Sequence, residues 1–268
     1  MTPNLKRRGT RHLPGATVVT PESAGWGYSG LRIVNLGPAE VYAASTGPNE
    51  IVVLPLAGSC VVDYILAESS GRVKLVGRAS PFAGVTDCAY IPRDTTIEIT
   101  GTGAFALASA RADRQYPLRY IAPDEVRIEH RGAGPCARTV HNFATPGVLE
   151  ADRLIACEVL TPAGNWSSYP PHKHDTERTG ESVLEEIYYF EVADGPVGPG
   201  MGYLKAEQVL AEVRTGDVVL IPHGFHGPAM AVPGYEMYYL NVMAGPGKRE
   251  WLICDDPAHA WIREQWEQ

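Results

Sequence analysis

Short runs of β-branched and aromatic residues, each closed within a few positions by glycine, proline or aspartate, recur through most of this chain. Residues 31–35, 51–55, 60–66, 72–76, 89–92, 96–100 and 104–108 form one series. Residues 153–160, 187–192, 201–204, 209–213, 218–222 and 235–244 form a second. Such spacing breaks long helices and predicts an all-β chain of sandwich or barrel type. The 28 glycines and 22 prolines, roughly 19% of the residues against roughly 12% in ordinary proteins, supply the turns. A hydrophobic content of 44% supplies the core. One helix signal stands near the end, where Asp256 as N-cap and Pro257 in the first turn predict a short helix over 256–266.

Between the two series, residues 111–145 turn polar and punctuated, with Arg111-Ala-Asp-Arg114 and then Arg131-Gly-Ala-Gly-Pro135. This predicts two units, 1–125 and 126–268. The halves also share a pattern. Ala89-Tyr-Ile-Pro92 and a strand after Gly103 parallel Val219-Leu-Ile-Pro222 and a strand after Gly234. Four residues past the shared proline the second half has His226 where the first has Thr96, so the pattern reads as a duplication in which the second copy holds the chemistry.

Charge and cysteine content remove several classes of function. The net charge is −8, and the one basic run is Lys6-Arg7-Arg8, so no nucleic-acid partner is expected. The five cysteines are far apart and form no C-x-x-C, which argues for reduced thiols rather than disulfides or a thiolate zinc site. No apolar run is long enough to span a membrane, and no secretory h-region follows the N-terminal basic residues, so a cytoplasmic protein without a membrane partner is expected.

The histidines are clustered. His172 and His174, at i and i+2, point to one face of a strand. Glu185-Glu186 open the apolar run Ile187-Tyr-Tyr-Phe190, and His223-Gly-Phe-His226 follows the strand at 218–222. Imidazole nitrogens with a carboxylate suit one divalent first-row metal with open positions for a reactant. Either glutamate could be the ligand. Parity favours Glu186, which would share a face with Tyr188, Phe190 and Val192, whereas Glu185 would bring Glu191 inward.

His-x-His, the glutamate, and Gly216-x5-Pro-x-Gly-x-His226 resemble the two signature motifs of the cupin superfamily. An insertion at 175–184 and a Gly-x-His one residue shorter than the common form depart from that pattern. Longer segments resemble the 5-deoxy-glucuronate isomerase family of myo-inositol catabolism, which is related to the 4-deoxy-L-threo-5-hexosulose-uronate ketol-isomerases. They are Ser167-Ser-Tyr-Pro-Pro-His-Lys-His-Asp175, Leu184-Glu-Glu-Ile-Tyr-Tyr189, Tyr238-Tyr-Leu-Asn-Val-Met-Ala-Gly-Pro246, Asp255-Asp-Pro257, Gly25-Trp-Gly-Tyr28 and Arg131-Gly-Ala-Gly134.

The resemblance implies a bicupin, two jelly-roll barrels in one chain, with a single metal (zinc, manganese or iron) held in the C-terminal barrel by His172, His174, His226 and a glutamate. It implies conversion of 5-deoxy-D-glucuronate to 5-dehydro-2-deoxy-D-gluconate, with a small sugar acid as partner; bicupins often associate into homo-oligomers, but the sequence does not encode the oligomeric state. That reaction runs through an enediol or by a hydride shift; the enediol route needs a proton shuttle, for which whichever of Glu185 and Glu186 is not the ligand, His223 and a metal-bound hydroxide are the candidates. The reaction also needs a cation for the substrate carboxylate, for which Lys173, Arg178 and Arg131 lie nearest in sequence. Lys173, between two inward histidines, should face away from the metal. Tyr188 could hydrogen-bond the sugar chain. A metal-dependent dioxygenase and a non-catalytic sugar-acid binding module are the rival readings.

Overall fold

The chain is described by a computed structural model covering residues 9–266, which leaves the Lys6-Arg7-Arg8 run outside the described residues. Two long strands, Asn49–Leu66 and Thr95–Arg111, organise the N-terminal half. The sequence reads each as two short runs, because glycines interrupt them at Gly58, Gly101 and Gly103. In the fold these are places where paired strands bend and touch: a Cβ on Gly103 (φ 137°) would lie 2.0 Å from the Ala57 carbonyl oxygen. The two strands lie at the centre of an eight-stranded sheet. Its path runs Val18–Val19, Ser29–Leu36, Thr95–Arg111, Asn49–Leu66, Cys88–Ile91, Arg119–Ile121, with Val41–Ser45 and Ser69–Arg78 joining off that path.

A seven-stranded antiparallel sheet follows in the order Arg11–Leu13, Val218–Ile221, Glu185–Val192, Met237–Ala244, Ile155–Thr161, Arg138–Ala144, Arg127–Arg131. A further sheet orders Val209–Val213, Gly202–Ala206, His226–Ala231, His172–Lys173 and Cys254–Asp255, with Trp166–Ser167 paired on His226–Ala231. The chain is therefore all-β. In hydrogen-bonding order these sheets are open paths rather than closed rings.

Three clusters of buried side chains show how the sheets stack. One packs the seven-stranded sheet on the His226-containing sheet through residues such as Tyr188, Phe190, Tyr239, Leu204 and Ala229. The second packs the opposite face of the same seven-stranded sheet on the N-terminal sheet, through Ile187, Tyr189, Leu240 and Val242 against Leu54, Tyr90 and Ala108. The third lies within the N-terminal half. The seven-stranded sheet is thus covered on both faces. This is why Met237–Ala244 is buried at every position and its sequence is nearly all apolar.

Two sequence expectations change. The polar stretch 111–145 contains three strands, Arg119–Ile121, Arg127–Arg131 and Arg138–Ala144, because arginines that look like surface punctuation face partners in the fold. Sheet membership does change between Ile121 and Arg127, but Arg11–Leu13 pairs with Val218–Ile221 in the later sheet, so the strand order crosses from one half to the other. The helix expected over 256–266 is a 3₁₀ segment, Ala260–Gln265. Asp256 Oδ1 does accept the Ala258 amide at 2.9 Å, yet a segment this short gains too few bonds to propagate an α-helix.

All five cysteines are unpaired thiols, three of them buried. Burial, with Asp87 nearby, pushes the Cys60 thiol up to about 12. Among the described residues no helix is long and apolar enough to cross a membrane.

Candidate metal centre

Three strands deliver the site. His172 pairs directly across from His226, the first residue of His226–Ala231, and Glu186 is the second residue of Glu185–Val192. His174 lies just past His172–Lys173, turned to the same side. Ligand atoms of the three buried histidines all lie within 4.8 Å of one another. Glu186 Oε2 lies 3.0 Å from Nε2 of both His174 and His226.

The orientation of each ring is set from behind. Nδ1 of His172 is 3.2 Å from the Pro170 carbonyl, Nδ1 of His174 3.1 Å from that of Leu184, and Nδ1 of His226 3.1 Å from that of Gly224. Carbonyls only accept, so each Nδ1 is the donor, and in its neutral form each ring turns an Nε2 lone pair inward. His226 Nε2 is buried and has no hydrogen-bond partner, despite lying beside Glu186. Lone pairs aimed at a carboxylate oxygen repel unless a cation stands between them. Three imidazole nitrogens and one carboxylate, all backed by outer partners, fit a first-row divalent ion.

Electrostatics agree with that donor set. Burial, reinforced by His226 and His174, holds His172 well below the usual imidazole range and keeps it neutral. Burial alone would raise the Glu186 carboxyl, but the His174 and His226 rings that face it outweigh burial and hold it ionised. Asn241 Nδ2 donates to Glu186 Oε1 at 2.7 Å and fixes the other oxygen.

A cavity runs past this cluster. His172 and Glu186 line it together with Ser168, Tyr188, Asn241, Arg138 and Arg131. Arg131 and Trp251 are shared with a neighbouring hollow that also takes in Arg263 and Trp266. The Tyr188 and Ser168 hydroxyls meet at 2.8 Å. Burial and Glu186 push the Tyr188 phenol well above its usual range, so it stays protonated.

The other sequence candidates are placed as follows. Glu185 is turned to the opposite face of the sheet, where its carboxylate accepts the amides of Gly27, Tyr28 and Ser29 at 2.7, 2.8 and 3.0 Å. It is therefore not among the residues that line the cavity with His172 and Glu186. The period of two that brings Glu186 in sends Glu185 out.

His223 lies in the turn before His226, part-exposed and 3.3 Å from Glu207, and it does not line the cavity. Lys173 faces away into Asp175, Thr176 and Glu181. Arg178 is half-exposed and bonded to Glu181 and to Cys254 Sγ, on a hairpin (Asp175–Arg178 with Glu181–Val183) built from the insertion. Arg131 and Tyr188 do line the cavity, and Arg131 is held by Glu129 at 2.6 Å.

Among the lining residues that escaped the sequence reading are Ser168, Asn241, Trp251 and Arg138. Asn241 had a signal, being the one polar residue in an otherwise apolar strand and in step with Tyr239 and Met243.

A model of the KduI/IolB family matches residues 5–262. The 5-deoxy-glucuronate isomerase of Geobacillus kaustophilus (strain HTA426) is 39% identical over 261 residues, covering 92% of this chain and 90% of the relative. That of Bacillus subtilis (strain 168) is 36% identical over 261 residues, with 92% of each chain covered. The crystal structure of an IolB-like protein from Salmonella typhimurium LT2 superposes with a TM-score of 0.83 at 35% identity, covering 91% of this chain and 94% of that one. Oxalate decarboxylase of Lactobacillus farciminis shares the fold alone, with a TM-score of 0.63 at 12% identity over 92% of this chain and 83% of that one. The chain belongs to the KduI/IolB family.

Proposed function

We propose that this chain is a 5-deoxy-glucuronate isomerase that converts 5-deoxy-D-glucuronate to 5-dehydro-2-deoxy-D-gluconate in myo-inositol degradation. In this reading the halves 1–125 and 126–268 are two cupin barrels. The second holds one divalent metal (zinc, manganese or iron) through His172, His174, His226 and Glu186. The observation that carries it is the convergence of three inward Nε2 atoms and Glu186 in a chain that matches enzymes of this name along nine-tenths of its length.

The reaction moves hydrogen between two adjacent carbons, turning an aldehyde into a ketone without net oxidation. When bound, the metal would supply positive charge that polarises the carbonyl and the neighbouring hydroxyl. The chain's own residues do the rest. Glu186, ionised and braced by Asn241, offsets part of the metal charge while three neutral rings leave the remainder available. Tyr188, kept protonated, donates or accepts a hydrogen bond along the sugar chain, with Ser168 as its relay partner. Val140, Val159 and Tyr239 form apolar walls beside these groups.

The test is metal analysis together with turnover of 5-deoxy-glucuronate. Purified enzyme should carry a metal, lose activity on chelation and regain it on reloading. His226→Ala should lower metal affinity at least about 100-fold and abolish measurable turnover. Turnover that survives both chelation and His226→Ala would sink this reading.

A further inference from the structure

A sugar-acid substrate brings a carboxylate into an acidic protein, and something in the cavity must receive it. Most cations near the site are already neutralised. Lys173 faces Asp175 and Glu181, Arg178 faces Glu181, Arg131 holds Glu129 and Arg263 holds Asp255. Arg138 is different. It lines the same cavity as His172 and Glu186, is 7% exposed, and has no carboxylate within salt-bridge distance among the described residues.

Its guanidinium is also fixed in place. The two Nη atoms donate to the carbonyls of Cys136 at 3.1 Å and Tyr169 at 3.4 Å, and the plane lies over the Trp266 ring at 5.0 Å. Arg138 and Val140, two residues apart on Arg138–Ala144, both face the cavity. A guanidinium has five N–H donors, so two carbonyls leave donors over. Burying such a charge without a counter-ion is costly, and a carboxylate accepting two parallel N–H bonds relieves that cost on binding. Neighbouring Arg131 and Arg263 make the region more positive still.

We infer that Arg138 is the anchor for the carboxylate of the substrate, gripping the acid while the aldehyde end reaches the histidines. Trp266 pins the guanidinium from one side, and Arg131, engaged by Glu129, flanks the entry. The inference rests on the isomerase reading for the identity of the substrate only.

The experiment compares metal-loaded wild type with Arg138→Gln and Arg138→Lys on three probes. These are turnover of 5-deoxy-glucuronate, turnover of its neutral amide, and calorimetric binding of D-glucuronate. Arg138→Gln should lower kcat/KM for the acid roughly 10- to 100-fold, mainly through KM, and leave the amide within about twofold. D-Glucuronate binding should weaken by a similar factor, and Arg138→Lys should recover part of both losses. Preserved preference for acid over amide in a folded, metal-replete Arg138→Gln protein would overturn the assignment. Should that variant not fold, Arg138→Lys decides: an acid-specific loss supports the anchor, and equal loss for acid and amide overturns it. If wild type fails to isomerise 5-deoxy-glucuronate, the isomerase reading falls. D-Glucuronate binding still judges Arg138 then: weakened binding in the variants supports the anchor, undiminished binding overturns it.

Discussion

Glu185 and Glu186 are adjacent in sequence and chemically identical, yet one peptide step gives them separate work. Glu186 reaches His174 and His226, while Glu185 is gripped by the backbone amides of Gly27, Tyr28 and Ser29. Glu186→Gln should strip the metal and abolish turnover. Glu185→Gln should retain metal and near-normal kcat while losing about 1.5–3 kcal/mol of stability, read by denaturant unfolding. Reversed effects would mean that the two side chains have exchanged faces. Much of this was legible in the sequence, because period-two alternation sorts 185–192 and because His-x-His can point one way only in a strand. Arg138 was not legible. It stands among Gly132, Gly134 and Pro135, and in a linear reading that punctuation makes an arginine look like part of a solvated connection.

At the level of elements, what the sequence could not supply was register. His172–Lys173 is two residues long, too short for any periodicity to announce, and its position is set by pairing His172 with His226 on one side and Asp255 on the other. The backbone behind His226 must therefore come very close to its neighbour. Gly227 (φ 93°) would place a Cβ 1.8 Å from the Ser168 carbonyl oxygen. Gly227→Ala should cost more than about 2 kcal/mol and reduce metal occupancy, measured by thermal unfolding and metal content.

The hairpin grown from the insertion carries its own pH signature. Burial would raise Asp175 and Glu181, but both are held below the usual carboxylate range, by Lys173 and the Gly224 amide for Asp175, and by Lys173, the Asp175 amide and Arg178 for Glu181. Their folded values lie below the unfolded ones, so the stability they contribute is present above about pH 4 and fades as pH falls further. Lys173→Met should lower stability fully at pH 7 to 8 and progressively less as pH falls below about 4, flattening the acid limb followed by denaturant unfolding. An unchanged acid limb would count against it.

Across the whole molecule, the halves are tied by more than apolar contact. Arg78 from the N-terminal sheet meets Glu158 in the seven-stranded sheet, both almost fully buried, and Tyr238 and His141 complete the cluster. Removing one member of such a pair strands its partner's charge. Glu158→Ala should cost about 3–5 kcal/mol, visible as a single lowered unfolding transition rather than a split one. The all-β class could be read from strand spacing, whereas this docking could not, since nothing local marks Arg78 and Glu158 as partners.

The shared sheet also bears on how the protein could be divided. Every group that would hold the metal comes after residue 170, which invites the idea that the later half is a portable module. Its back wall, however, is a greasy surface of Ile187, Tyr189, Leu240 and Val242 packed against the earlier half. Excised at residue 126, the later segment would expose that surface to solvent and lose the edge strand Arg11–Leu13. It should be recovered as aggregate without metal, because the earlier half shields the sheet face behind the histidines.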